Sequence, residues 1–220
     1  MNNNNNNNTV TNVVIRNVTK KDISKIVNLQ KVSFPDMAAY GMVWPSSFLH
    51  SHICVFSEGQ FCAEVNGSIV GSASSLIVSL NPDYAWHTWY DITGQGLFTN
   101  HNPNGDSLYG ADISIHPKFR CKGIATMLYN VRKDLAIRLN LRRIIAGGRL
   151  YDYYKYANIM SAQEYAKKVV NGELKDPVLS FQLKNGFKFI KVLPNYLYDK
   201  RSLNYGSFIE WLNPEYRIIL

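Results

Sequence analysis

Apolar positions along the chain switch between two periods. Val13-Val14-Ile15 is a short β-branched run, and Ile23, Ile26 and Val27 follow it at helical spacing. Thr19, with Asp22 three residues on, supplies an N-cap, so a first helix is expected to run to about Ser33 before Pro35 stops it. A poorer helix is expected from Pro45-Ser46-Ser47, carrying Phe48, Leu49, Ile53 and Phe56. Residues 61–65 and 69–80 read as strands joined at Asn66-Gly67, because that pair tolerates the positive φ angles of a type I′ turn. Residues 81–106 have no clean period and are rich in Gly, Asn, Pro and aromatics. A long loop is predicted there, with one helical turn at 86–90.

The second half is more regular. Residues 108–115 read as a strand ending at Pro117, followed by a helix with Ile124, Met127, Leu128, Val131 and Leu135 on one face. A strand over 142–146 should end in Gly147-Gly148. Helices are expected near 162–170 and 177–184, then closing strands over 187–193 and 207–211. Strands and helices mix without a repeat, which predicts one α/β (α+β) domain around a mixed sheet over residues 12–220. The polar run Asn2 to Asn8 has nothing to bury, so residues 1–11 are expected to be a disordered tail.

Composition narrows the chemistry. With 46% hydrophobic and 18% charged residues in 220, the bulk of the chain is globular. Lys and Arg exceed Asp and Glu by 24 to 16, which favours an anionic ligand. Cys54, Cys62 and Cys121 lack CxxC spacing and are odd in number, so neither a disulfide framework nor a metal site is expected. No apolar run is long enough to span a bilayer and no signal-peptide pattern opens the chain. These features predict a soluble, cytoplasmic protein without membrane partners.

The informative stretch is Ile113-Ser114-Ile115-His116-Pro117-Lys118-Phe119-Arg120-Cys121-Lys122-Gly123-Ile124-Ala125, ordered as strand, basic loop and helix start. Unpaired N–H groups and a partial positive charge mark a helix N-terminus, and small residues at Gly123 and Ala125 let a phosphate approach that backbone. Residues 118–143 carry eight Lys/Arg against one acid, Asp134, so positive charge is expected to gather at this point. Neither GxxxxGK[ST] nor a strand-linked GxGxxG is present, which disfavours nucleotidase and dinucleotide folds. A nucleic-acid surface would need basic and aromatic residues interleaved over an extended face. The cluster is local, so no nucleic-acid partner is expected.

Arg120, Gly123 and Ala125 match [RQ]-x-x-G-x-[GA], and Ile115-His116-Pro117 matches its approach. In this the chain resembles the GNAT N-acetyltransferase superfamily. Supporting segments are Ile15 to Ile23, the Asn66-Gly67 hairpin and Lys184-Asn185-Gly186-Phe187. A closer likeness is to the acetyltransferase-like domain that precedes a carbon–nitrogen hydrolase domain in some bacterial proteins, carried by segments such as Gly147-Gly148-Arg149 and Leu193-Pro194-Asn195-Tyr196-Leu197. Residues 12–220 are expected to hold the acetyltransferase-like domain alone, so amide hydrolysis is not carried over.

The resemblance implies a mostly antiparallel twisted sheet flanked by helices, with a splayed central strand pair, and acetyl-CoA as acyl donor without a metal. It assigns Ile113 and Ile115, through their backbone, to pantetheine and the acetyl carbonyl. It assigns Arg120, Cys121, Lys122, Gly123, Ile124, Ala125 and Thr126 to the phosphates. Asp112 alternates away from Ile113 and Ile115, and reads either as a hydrogen-bonded strand acid or as a general base. Tyr151, Tyr153, Tyr154 and Tyr156 read as packing or as a substrate wall. Gln182 stands where many family members place a tyrosine acid, so the proton donor would be another tyrosine or water. Two functions follow: an acetyl-CoA-dependent N-acetyltransferase acting on a small-molecule or peptide amine, or a CoA-binding sensor or partner module without turnover.

Overall fold

The structure, a computed structural model, describes residues 12–218. The segment read as a disordered tail lies outside the described residues. β1 (Val13–Asn17) leads into α1 (Ile23–Ser33) through a reciprocal Thr19–Asp22 cap, in which Thr19 N and Oγ1 both donate to Asp22 Oδ2 at 2.9 and 2.8 Å. Arg16 fastens this entry by pairing with Asp22 and with Glu64, each at 2.8 Å. Pro35 ends α1 as expected, yet it also opens α2 (Pro35–Ala39), because proline is suited to the first position of a helix. α3 (Ser46–Phe56) follows.

β2 (Gln60–Val65) and β3 (Ser68–Val78) form the predicted hairpin, with φ of 49° at Asn66 and 77° at Gly67. The helical turn expected at 86–90 falls later, as α4 (Trp89–Ile92), because Thr88 and Asp91 cap each other and fix the start. β4 (Ser107–Ile115), α5 (Ile124–Arg138), β5 (Arg143–Arg149), α6 (Ala162–Val170), α7 (Leu179–Lys184), β6 (Lys188–Leu193) and β7 (Gly206–Leu212) complete the chain. β5 does not end at Gly147-Gly148 as the sequence suggested. It continues to Arg149 because β7 keeps pairing with it as far as Gly206.

The seven strands lie in the order β1-β2-β3-β4-β5-β7-β6, all antiparallel except β4 with β5. Helices α5, α6 and α7 cover one face, where Leu128, Leu135 and Ala166 meet Leu108, Ile144 and Ile209. The opposite face carries Tyr109, Ile145 and Phe208 under α4, and Cys62 and Ile69 under α1 and α3. Alternate residues of β4, β5 and β7 thus go to opposite cores, as the strand period requires.

The parallel pair is short. β4 and β5 pair only from Ser107 with Arg143 to Gly110 with Ala146, and then diverge. Beyond that point β4 stays on β3 up to Ile115 and β5 stays on β7. A bulge marks the divergence: Ser74 opposes Asp112 and Ser75 opposes Gly110, so Ala111 has no partner. Arg132 of α5, 2% exposed, reaches this point. Its Nη2 donates to the carbonyls of Ser74, at 2.7 Å, and Asp112, and its Nε donates to Ser75 Oγ at 3.0 Å.

On the β5 side the ring and hydroxyl of Tyr196 lie where a Cβ on Gly147 would be, and the Gln182 amide lies where one on Gly148 would be. Gly147→Ala is therefore expected to lower stability by about 1–3 kcal/mol, the usual cost of overpacking, as read from urea unfolding. A change below ~0.5 kcal/mol would mean that β5 yields freely.

A second expectation comes from the core beside α3. His52 is 1% exposed, stacks on Phe98 with ring centroids 3.6 Å apart, and lies 2.6 Å through Nε2 from the Gly96 carbonyl. Burial pushes its pKa down from 6.5 to about 4, the Gly96 contact opposing. The unfolded chain takes up this proton below pH 6.5 and the folded one only near 4, so stability is intact above 6.5 and falls towards pH 4. The loss approaches roughly 3 kcal/mol. His52→Gln keeps a donor for Gly96, and its unfolding midpoint should decline less over that range than the parent's.

Candidate functional site

The divergence of β4 and β5 opens a cleft of about 450 Å³ that passes through the sheet. Tyr129 and Arg132 of α5, and Val178 and Gln182 at α7, line it on one face. Phe34, Met37, Trp44 and Phe48 of the α1–α3 segment and Trp89 of α4 line it on the other. Gly110 to Ile113 and Ala146 to Arg149 form the edges between them.

The basic loop stands at the start of α5, the helix that supplies Tyr129 and Arg132 to the cleft, and none of Ile115 and residues 120–126 is itself among the cleft's lining residues. After a turn over Pro117–Phe119, Cys121 and Gly123 adopt φ of 59° and 81°, and α5 begins without any side-chain cap. The first-turn amides of Ile124, Ala125 and Thr126 therefore have no helical partner. A Cβ placed on Gly123 would meet nothing within 4 Å, so the approach to those amides is open. The Ile124 side chain is buried at 1% exposure, which leaves its N–H to act, whereas Arg120, Cys121, Lys122 and Thr126 are exposed and Ala125 is half-buried. Arg120 Nη2 donates to the Ser33 carbonyl at the end of α1 at 2.7 Å, and Lys122 Nζ lies 5.3 Å from the Phe119 ring.

The structure corrects one expectation about charge. Of the eight cations in residues 118–143, only Lys118, Arg120 and Lys122 stand at this loop. Arg132 is buried at the bulge, Lys133 donates to the Asn185 carbonyl, and Arg138 pairs with Glu58 at 2.7 Å. Arg142 bonds Asp83 and Asp106, and the buried Arg143 bonds Glu210 and Asp83 at 3.0 and 2.8 Å. Helical and strand periods carry these five away from the loop, which adjacency in the sequence could not reveal.

Asp112 lines the cleft, half-buried, while Ile113 and Ile115 pack against the main core. Ser114 Oγ donates to Asp112 Oδ2 at 2.8 Å. Burial pushes the Asp112 carboxyl above its usual range, against the pull of that hydrogen bond and the positive charges of Arg132 and Arg149. Arg149 is held by Asp199 at 3.0 Å, with the Phe34 and Tyr151 rings beside its guanidinium at 5.2 and 5.3 Å.

The tyrosines fall differently from the sequence reading. Tyr153 is buried in the main core, and Tyr151 and Tyr154 flank Arg201, so the 151–156 segment is not the cleft wall. The cleft tyrosines are Tyr90, Tyr129, Tyr196 and Tyr198. Tyr196 OH lies 2.7 Å from Tyr109 OH, which lies 3.1 Å from His87 Nε2, and His87 Nδ1 lies 3.0 Å from the Ala85 carbonyl. That carbonyl accepts only, so Nδ1 carries the proton, Tyr109 donates to Nε2, and Tyr196 donates to Tyr109. Gln182 is buried against Gly148, where its amide offers no ionisable proton. The aromatic wall at Phe34, Trp44, Phe48 and Trp89 was missed because it comes from four separate segments. The one signal was the aromatic content of the long loop.

Among the described residues, no helix is long and apolar enough to cross a membrane, and no group of three or more His, Cys, Asp and Glu is placed to hold a metal.

Comparison with known proteins agrees with this geometry. Residues 23–155 match the Acetyltransferase (GNAT) family. The probable hydrolase YhcX of Bacillus subtilis (strain 168) is 49% identical over 205 residues, 93% of this chain, which spans only 39% of that protein. This fits the likeness to an acetyltransferase domain beside a hydrolase domain. The uncharacterized N-acetyltransferase YkwB of the same organism is 44% identical over 205 residues, and the match covers 91% of its length. Among solved structures, the loading GNATL domain of CurA from Lyngbya majuscula superposes with a TM-score of 0.79 at 20% identity, covering 92% of this chain and 98% of that one. That likeness extends to the fold, with its mostly antiparallel sheet and its diverging parallel pair. With the family match over more than half of its length and YkwB aligned nearly end to end, this chain belongs to the acetyltransferase (GNAT) family of acyltransferases.

Proposed function

We propose that the protein transfers an acetyl group from acetyl-CoA to a primary amine, carried by a small molecule or a peptide, by direct attack. The observation that carries this reading is the cleft where β4 and β5 diverge, with a carboxylate at its edge and an aromatic chamber on one face, while α5, which lines the other face, begins at an open, uncapped start. The residues present suit the donor. Gly123 leaves the α5 amides accessible, Arg120 and Lys122 flank them, and Val178 and Gln182 border the way to the divergence. Acetyl-CoA, when bound, supplies a thioester whose carbonyl carbon an amine can attack.

The chain's own groups have distinct tasks in this scheme. The α5 amides and the two loop cations bind the phosphates. β4 beyond Gly110 no longer pairs with β5, so its edge is open to hydrogen-bond the acyl carbonyl and the pantetheine amides. Asp112 accepts the proton of the incoming ammonium, directly or through a water. Its raised pKa makes it a stronger base than an exposed carboxylate. Gln182 supports the other reading, a CoA-binding module without turnover. Release of free CoA with any amine decides between the two.

Arg120→Ala should weaken CoA binding in calorimetry by about 1.5–3 kcal/mol, the range for a hydrogen bond to a charged group. The loss should shrink as salt rises. Gly123→Asn, a residue that tolerates positive φ, should fold normally and bind CoA poorly, because its side chain enters the open approach. Unchanged affinity in both variants removes this loop from the site.

Asp112→Asn should lower kcat by roughly 10²–10⁴-fold while CoA affinity stays near that of the parent. The deficit should narrow at alkaline pH, where the amine loses its proton unaided. In the parent, kcat should fall as pH drops through the raised pKa of Asp112, above the ordinary carboxylate range. Parent-like turnover of the variant at pH 7 overturns the assignment.

A further inference from the structure

The chamber on the α1–α4 face is poor in free charged groups, and this limits what can enter it. Trp89 Nε1 donates to the Ala111 carbonyl at 3.0 Å, and Gln30 Oε1 accepts from the Trp44 backbone at 3.1 Å. The Trp44 and Trp89 rings stack on each other at 5.6 Å with 28° between planes, so these faces are turned to one another. Phe34, Met37 and Phe48 extend the apolar lining, and Tyr90 and Tyr198, more than half exposed, add rings with neutral hydroxyls. Arg149, the one cation that lines this side of the cleft among the described residues, is paired with Asp199 and flanked by rings. Arg132 is spent on backbone carbonyls. Among the described residues Asp112 is the one carboxylate that lines the cleft, and its carboxylate is bonded to no cationic side chain.

Each common class of amine meets this lining differently. A polyamine or aminoglycoside needs a second anionic group for its second ammonium, and the lining provides none. A free amino acid needs a cation for its carboxylate, and both arginines are engaged. An amine joined to an aromatic or branched apolar body satisfies every constraint, with its nitrogen at Asp112 and its body against Trp44, Phe48 and Trp89. We propose that the acceptor is a monoamine of this kind, carrying no second charge. The proposal rests on the acetyl-transfer reading for its chemistry and on the chamber alone for its recognition.

Two measurements on the whole chain separate those supports. In the first, CoA release from acetyl-CoA is followed with 2-phenylethylamine, ethylamine, spermidine and L-lysine. The expected kcat/KM for 2-phenylethylamine exceeds that for ethylamine by roughly 10- to 100-fold, the effect of burying a phenyl group, and exceeds those for spermidine and lysine by at least as much. Preference for spermidine or lysine overturns the proposal and leaves the transferase reading standing. In the second, the same amines are titrated by calorimetry into CoA-saturated protein. Binding of 2-phenylethylamine alone, without turnover of any amine, upholds the chamber's selectivity and refutes acetyl transfer. Absence of both its binding and its turnover refutes the proposal. Met42→Glu, on the loop between α2 and α3 that borders the cleft, should raise KM for 2-phenylethylamine and lower it for spermidine. The same KM values as the parent would show that the amine's body does not occupy this chamber.

Discussion

The bulge at Ala111 and the arginine that occupies it determine most of what this molecule can do. Two parallel strands that stayed paired would form a closed sheet with no room for a ligand. Here β4 gains one residue against β3, its register slips, and its far half turns away from β5. Such a gap leaves strand carbonyls without partners inside the protein, at a cost of about 1–3 kcal/mol for each. Arg132 meets that cost with one guanidinium donating to the carbonyls of Ser74 and Asp112 and to the Ser75 hydroxyl. The same positive charge lies close enough to Asp112 to oppose the desolvation of its carboxyl. One side chain from α5 therefore holds the cleft open and tempers the acid at its edge.

β5 makes the matching concession. Gly147 and Gly148 carry no side chain, and the space is filled by Tyr196 and Gln182 from neighbouring elements. Tyr196 is in turn fixed by the hydroxyl chain through Tyr109 to His87, whose direction is set by the Ala85 carbonyl. The proton of Tyr196 points along that chain. The hydroxyl is thus bonded within a buried chain and the ring packs against Gly147 and Gly206, which fixes this part of the wall.

Local signals made much of the fold legible in advance. The Thr19–Asp22 cap, the Asn66-Gly67 turn and the apolar face of α5 are each decided within a few residues, and each stands where the pattern put it. The loop from Arg120 to Gly123 was legible for the same reason, since glycine at φ 81° and an uncapped helix are local requirements. Non-local features were not legible. The bulge depends on strand register, and the aromatic chamber depends on Phe34, Phe48 and Trp89 meeting from the α1–α2 junction, α3 and α4. The dispersal of Arg132, Arg138 and Arg143 depends on which way a helix or strand turns each side chain. Asp112 was legible as a position and illegible as a chemical group, because its pKa is set by burial and by arginines 20 and 37 residues away in the chain.

The sheet itself divides the work of the site. On the α5 side the available groups are amide donors and exposed cations, suited to an anion and dependent on backbone geometry. On the α1–α4 side they are rings and thioethers whose recognition depends on side chains alone. The two sets meet only at the strand edges, at Asp112 and Gly147. A substitution at Trp44 or Phe48 changes the shape of one chamber without touching the helix start, and one at Lys122 does the reverse. The shape of the aromatic side can therefore change while the α5 side stays as it is. The groups at the strand edges have no such freedom, because Arg132, Ala111 and the two glycines serve both faces at once.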